Sequence, residues 1–153
     1  MNRALERADF DLIASWVQPG ERVLDLGCGD GSLLKRLIET RGAKGYGVEL
    51  GDSEVLAAIA NGINVIQGNL EQGLAGFDDG TFTHVVLSRT LQTVRHTERI
   101  LCEMLRVGRE AVTARCVPSR AAVARRVSRR AWARRLACRS RRDCVLQVHR
   151  LPR

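Results

Sequence analysis

The chain has 153 residues, 44% of them hydrophobic, and a formal net charge of +8; that is enough for one domain with a real core and too little for two of ordinary size. No run of about 18 apolar residues occurs and no apolar stretch follows the charged N-terminus, so neither a membrane span nor a signal peptide is expected. The charge excludes an evenly basic surface, because residues 1–112 hold 12 Lys+Arg against 16 Asp+Glu (−4) while residues 113–153 hold 13 Arg and only Asp143 (+12).

Leu5, Ala8, Leu12, Ile13, Trp16 and Val17 fall near the helical period and stop before Pro19-Gly20, which predicts an opening helix over the sheet edge or as a lid. Arg22 to Leu26 suits a strand buried on both faces, and Leu33, Leu34, Leu37 and Ile38 mark a helix after a glycine-rich turn. Gly45 to Glu49 reads as a second strand, Val55, Leu56 and Ile59 as one helical face, and Gly62 to Ile66 as a third strand. Phe82 to Leu87 is a fourth strand, Ile100, Leu101, Met104 and Leu105 lie on a helix closed by Gly108, and a fifth strand begins at Glu110 to Val112. Strands alternating with helices predict an α/β domain with a parallel sheet over residues 1–112.

The turn Asp25-Leu26-Gly27-Cys28-Gly29-Asp30-Gly31 carries the chemistry. Gly27 and Gly29 let the backbone approach a ligand that a side chain would hold off. The segment is not the dinucleotide fingerprint, because Ser32 stands where a G-x-G-x-x-G motif needs its last glycine. Asp25 and Asp30 would repel a pyrophosphate at the following helix N-terminus, whereas the sulfonium and ammonium of S-adenosyl-L-methionine suit an acidic loop.

Glu49 ends the second strand, 24 residues after Asp25, where a carboxylate can accept both ribose hydroxyls of a nucleoside; the alternative is a surface glutamate. Asn69 ends the third strand and can meet the adenine amino group through its carbonyl, more weakly than a carboxylate would. Leu50 and Leu70, which follow them, join the candidate cofactor-binding set. Ser88 ends the fourth strand, where its carbonyl can hold an ammonium or merely cap the strand. Cys28 has no histidine near it in sequence, so it reads as a small buried neighbour of the cofactor and not a nucleophile. His84 and His96 have no second ligand at metal spacing and read as structural. No catalytic base and no metal site are identified.

Five cysteines without a C-x-x-C pair, in a chain with no secretion signal, predict free thiols and a cytoplasmic protein. Residues 113–153 lack Gly, Ile, Asn, Glu, Lys, Phe, Tyr and Met. Few large apolar groups offset the entropy of ordering them, so disorder or a loose Arg/Ala helix striped by Val123, Val127 and Leu136 is expected, with no strand after Val117. Clustered arginines attract phosphates, but only Trp132 is available to stack, and nucleic acid is not the expected partner.

Residues 1 to about 112 resemble the class I S-adenosylmethionine-dependent methyltransferases, and within them the methionine biosynthesis protein MetW family. The resemblance is carried by Arg22-Val23-Leu24-Asp25-Leu26-Gly27-Cys28-Gly29-Asp30-Gly31-Ser32, Gly45-Tyr46-Gly47-Val48-Glu49, Gly62 to Leu70 and Val85-Val86-Leu87-Ser88-Arg89-Thr90-Leu91-Gln92. It implies a Rossmann-like fold, a glycine loop at the methionine end of S-adenosyl-L-methionine, and action with homoserine O-acetyltransferase in methionine synthesis. It leaves two roles open: methyl transfer catalysed by positioning to an unknown acceptor, or a non-catalytic sensor regulating homoserine acylation. The Asn-Pro-Pro-Tyr type motif of amino-group methylation is replaced by Ser88-Arg89-Thr90-Leu91.

The family usually has aspartate at the position of Asn69, and its chain continues after Arg109 with an aromatic-rich segment and further strands. The abrupt Arg/Ala/Ser/Cys bias here is what a GC-rich coding region gives when read out of frame. The expectation is a C-terminally incomplete sheet with a frameshifted or truncated end after about Val112, an unpaired strand edge, and marginal stability and solubility.

Overall fold

A computed structural model of the chain describes residues 3–88, 90, 93–116, 132–140 and 143–150, with side chains for 9–88, 90 and 93–109. The elements run α1 (Arg3–Trp16), β1 (Arg22–Leu26), α2 (Ser32–Arg41), β2 (Lys44–Glu49), α3 (Asp52–Ala60), β3 (Val65–Gln67), a 3-10 turn (Leu70–Gln72), β4 (Phe82–Leu87), α4 (Thr97–Val107), β5 (Gly108–Cys116), β6 (Trp132–Ser140) and β7 (Asp143–Arg150). They build one sheet of order β3-β2-β1-β4-β5-β7-β6. The first five strands are parallel, as the alternation of strand and helix requires. The α/β Rossmann-like class of a methyltransferase sheet therefore holds.

Two apolar layers form because successive side chains of a strand point to opposite faces. Leu24, Leu26, Val85 and Leu87 pack with Ile100, Leu101 and Met104 of α4 on one face. Val23 and Val86 pack on the other face with Ile13, Ala14 and Val17 from the first helical segment and Leu33, Leu34 and Leu37 of α2. All six residues of β4 are buried, as a central strand covered on both sides demands. The opening helix thus lies on a face of the sheet and not over its edge.

Three expectations are corrected. β3 starts at Val65, because Gly62, at φ 77°, closes the preceding turn. On α3 the buried residue is Ala58, while Leu56 and Ile59 are 67% and 57% exposed, because the helix turns its alanine face and not its leucine–isoleucine stripe to the core.

The third concerns the C-terminal segment. The sheet is not incomplete: β5 pairs antiparallel with β7 from Ala111↔His149 to Cys116↔Cys144, and β7 pairs with β6 from Trp132↔Arg150 to Ser140↔Asp143. Where disorder or a loose helix was expected, residues 132–140 and 143–150 are strands, and β5 is paired along both sides. Antiparallel pairing satisfies backbone groups whatever the side chains, and Val145, Leu146 and Val148 favour the extended chain. The part of the expected Arg/Ala helix in residues 117–131 lies outside the described residues.

The order of strands places β1 between β2 and β4, so crossovers leave β1 in one direction and reach β4 in the other. Ligands of open α/β sheets bind outside the carboxyl ends of strands at such a reversal. The glycine turn sits there, directly after Leu26.

Candidate functional site

Gly27, Gly29 and Gly31 all adopt positive φ, at 70°, 56° and 76°. The turn is anchored to the end of β2, where the Gly27 and Cys28 N–H groups donate to the Val48 carbonyl at 2.7 and 3.2 Å. The Gly29 N–H donates to Glu49 Oε2 at 2.8 Å, while Glu49 Oε1 accepts from Leu50 and Gly51 N–H at 2.8 and 3.2 Å. One carboxylate therefore ties the glycine turn to the loop that opens α3.

Gly27 is required twice over. A Cβ there would meet Thr90 Oγ1 at 2.1 Å, and its φ is strained for any other residue. Thr90 in turn donates to the carbonyls of Ser88 at 3.1 Å and Gly27 at 3.5 Å, closing the mouth of β4 onto the turn. Gly27→Ala should destabilise the domain by about 3 kcal/mol. Adding Thr90→Gly should recover the part due to the clash and leave that due to φ, as denaturant unfolding of the single and double variants would read.

Beside the turn lies a cavity of about 260 Å³ lined by Gly27, Val48, Glu49, Leu50, Gly68, Asn69, Leu70, Glu71, Thr90, Thr93 and Val94. Of the residues singled out in the sequence, Gly27, Glu49, Leu50, Asn69 and Leu70 line it together. Gly29 reaches it through the hydrogen bond to Glu49. Cys28 points away into the core against Leu33 and Leu34, 8% exposed, with its thiol pushed up to about 12 by burial and by Asp25 and Glu49. It is inert as a nucleophile at neutral pH. Ser88 is buried at the end of β4, its hydroxyl without a partner and its carbonyl already accepting from Thr90.

Asp25 is buried at 2% exposure, and its Oδ1 has no hydrogen-bond partner. Burial, reinforced by Glu49, pushes its carboxyl up to about 7. An unpartnered buried carboxyl beside a second carboxylate is costly unless a cation or proton balances it.

Sequence reading missed the far wall. Glu71, in the 3-10 turn, accepts from the backbone N–H of Arg95 and from that of His96 at 3.4 Å, and the Arg95 N–H holds its carboxyl below the usual range. It thereby joins the β3–β4 connection to the start of α4, bringing Thr93 and Val94 onto the cavity. Only the acid two residues after Asn69 hinted at this. His84 is fully buried in β4 with Nδ1 3.5 Å from Glu21 Oε2, remote from the cavity lining. Among the described residues no group of three or more His, Cys, Asp and Glu could hold a metal ion, and no helix is long and apolar enough to cross a membrane.

Set against known proteins, residues 7–119 match the profile of the family described as methionine biosynthesis protein MetW. The chain belongs to that family. A MetW relative from Rhodopirellula baltica, named bifunctional methionine biosynthesis protein MetXA/MetW, is 39% identical over 112 residues, covering 68% of this chain. The chain spans only 18% of that relative's length. The MetW chain also shares its fold with magnesium protoporphyrin IX methyltransferase from Synechocystis PCC 6803 with bound SAM, at TM-score 0.78 and 18% identity over 95% of this chain and 80% of that one. The [4+2]-cyclase SpnF matches at TM-score 0.81 and 13% identity, over 94% and 80%. A fold that carries both a methyltransferase and a cyclase does not by itself fix the reaction.

Proposed function

We propose that this MetW-family chain binds S-adenosyl-L-methionine in the cavity at the end of β1 and acts with homoserine O-acetyltransferase in methionine biosynthesis. The observation that carries the reading is the orphaned Oδ1 of Asp25, buried beside Glu49 at the glycine turn. A sulfonium and an ammonium relieve that arrangement, and a diphosphate aggravates it. Asp25, Gly27, Cys28, Gly29 and Ser88 would surround the methionine end, Glu49 and Leu50 the ribose, and Asn69 and Leu70 the base. The SAM bound by a structural relative of this fold, and the joining of MetXA and MetW in the name of one chain of R. baltica, support the cofactor and the partner respectively.

When bound, the cofactor supplies an electrophilic methyl group. This chain's own residues would orient it: Glu49 stiffens the turn, Thr90 closes it, and Asp25 balances charge. The acceptor is left open. One observation favours the second role, of a cofactor sensor that adjusts homoserine acylation: both acids on the cavity wall, Glu49 and Glu71, are occupied by backbone N–H groups. A free general base is therefore lacking among the described lining residues.

Calorimetric titration with S-adenosyl-L-methionine and, separately, NAD tests the reading. Binding of the first and none of the second is expected; the reverse result would discard it. Methyl transfer to no acceptor, together with acyltransferase activity that responds to the cofactor, would decide for the sensor.

A further inference from the structure

Gly27 leaves room at the turn for a ligand, and a side chain of the protein itself stands in that room. A Cβ at Gly27 would collide with Thr90 Oγ1, and would meet Thr90 Cγ2 and Cβ at 2.8 and 2.9 Å. Because the Thr90 Cβ is itself among the three, turning χ1 exchanges hydroxyl for methyl without emptying the space. A shift of the backbone that carries Thr90 is needed to clear it.

The Thr90 hydroxyl also takes up acceptors. The carbonyl oxygens of Ser88, just past β4, and of Gly27, just past β1, converge on Oγ1 at 3.1 and 3.5 Å. A hydroxyl has one hydrogen, and both distances exceed the usual O–H···O separation of about 2.8 Å, so two acceptors share one weakly held donor. An ammonium brings three donors and a positive charge, and serves both oxygens better than the hydroxyl does. Near the ends of the same two strands, Asp25 Oδ1 and Ser88 Oγ are buried and without a partner. Thr90 therefore leaves the polar groups of these strand ends only partly satisfied.

We propose that Thr90 is a built-in occupant of the ligand site, whose hydroxyl holds the two carbonyls that a ligand's ammonium would take and gives them up when such a ligand binds. The inference rests on the S-adenosyl-L-methionine reading above and adds regulation to that site. Thr90 does not move alone. Its carbonyl accepts from the Thr93 N–H and from Thr93 Oγ1, at 3.0 and 2.8 Å. It thus draws on Thr93, which with Val94 lines the cavity, and the Arg95 and His96 N–H groups that follow are held by Glu71. A ligand that displaces one hydroxyl thereby pulls on the start of α4, the kind of response a cofactor sensor needs.

S-adenosylhomocysteine and its analogue without the α-amino group are the probes, titrated calorimetrically at neutral pH into the full chain and its variants. Thr90→Val keeps the bulk and deletes the donor, which frees both carbonyls for the ligand. Thr90→Ala deletes the donor with less bulk and reads the same ratio should the valine variant not fold. The ratio of the two affinities within one preparation does not depend on the fraction folded, so lost stability does not imitate the effect. The expected result is a preference for the amino compound that rises about fivefold without the hydroxyl, through tighter binding of that compound, and stays within about twofold in Thr90→Ser, which keeps it. A rise of less than about threefold, or a fall, overturns the inference while the cofactor reading stands, because the hydroxyl is then a bystander or a contact to the ligand. Should the unaltered chain bind neither S-adenosylhomocysteine nor S-adenosyl-L-methionine, the cofactor reading itself fails and this inference falls with it.

Discussion

Replacing Glu49 by glutamine should lower affinity for S-adenosyl-L-methionine by about 30- to 100-fold, the largest loss from any one conservative change at the site. The carboxylate accepts three backbone N–H groups, from Gly29, Leu50 and Gly51. A glutamine keeps one oxygen and places an NH2 group against at least one of those donors. The glycine turn then loses its tether to the end of β2, and the cavity loses the carboxylate proposed to accept the ribose hydroxyls. Charged hydrogen bonds of this kind contribute about 1.5 to 3 kcal/mol each, and Asp25 does not replace them because its buried Oδ1 makes no hydrogen bond to the turn. Calorimetric titration of Glu49→Gln, with its thermal midpoint measured alongside, checks the expectation. Affinity within threefold of the unaltered chain would show that Glu49 is a turn anchor without a ligand role.

The parallel half of the fold was legible because each of its strands is a short apolar run followed by a turn signal. Arg22–Leu26 and Phe82–Leu87 stand in the structure as the sequence pattern drew them. Periodicity failed on α3, where Leu56 and Ile59 make a good helical stripe that the tertiary structure leaves outside. It failed again on β6 and β7, for a different reason. Arginine density concealed an alternation in Cys144, Leu146 and Val148, and composition was weighed where pairing decides, since those strands are held by backbone bonds to β5.

The near wall of the cavity was legible for a chemical reason: glycines at positive φ and an acid at the end of the next strand are demanded by local geometry. The far wall was not. Glu71, Thr90 and Thr93 reach the cavity through hydrogen bonds to residues 24, 63 and 3 positions away, respectively, and nothing in their own neighbourhoods announces the longer of these. Asn69 shows the limit most plainly. Its residue type suggested a carbonyl facing the ligand, and the fold adds a second task the sequence did not announce, accepting the Glu71 N–H.

Stability and binding should respond to pH in opposite directions through Asp25. Its carboxyl ordinarily titrates near 3.8 and is pushed up to about 7 in the folded chain, first by burial and then by Glu49. Between those values the native protein holds a proton that the unfolded chain has released, so stability falls as pH rises through this window and levels off above about 7. The expected loss across the whole window is of the order of 4 kcal/mol. Asp25→Asn imitates the protonated form. It should remove this component of the pH dependence and, at pH 8, leave the variant more stable than the unaltered chain. A cationic ligand favours the ionised carboxyl, so below about pH 7 its binding must expel the proton. Affinity for S-adenosyl-L-methionine should therefore climb by up to about tenfold per pH unit towards 7, then weaken above about 8 as the ligand's own ammonium is lost. In Asp25→Asn the rising limb should vanish and affinity at pH 7.5 should drop. Thermal midpoints from pH 5 to 8 and calorimetric titrations over the same range read both effects. Parallel stability curves for the two proteins, or an affinity that is flat across the interval in the unaltered chain, would show that Asp25 is not the group that balances the ligand's charge.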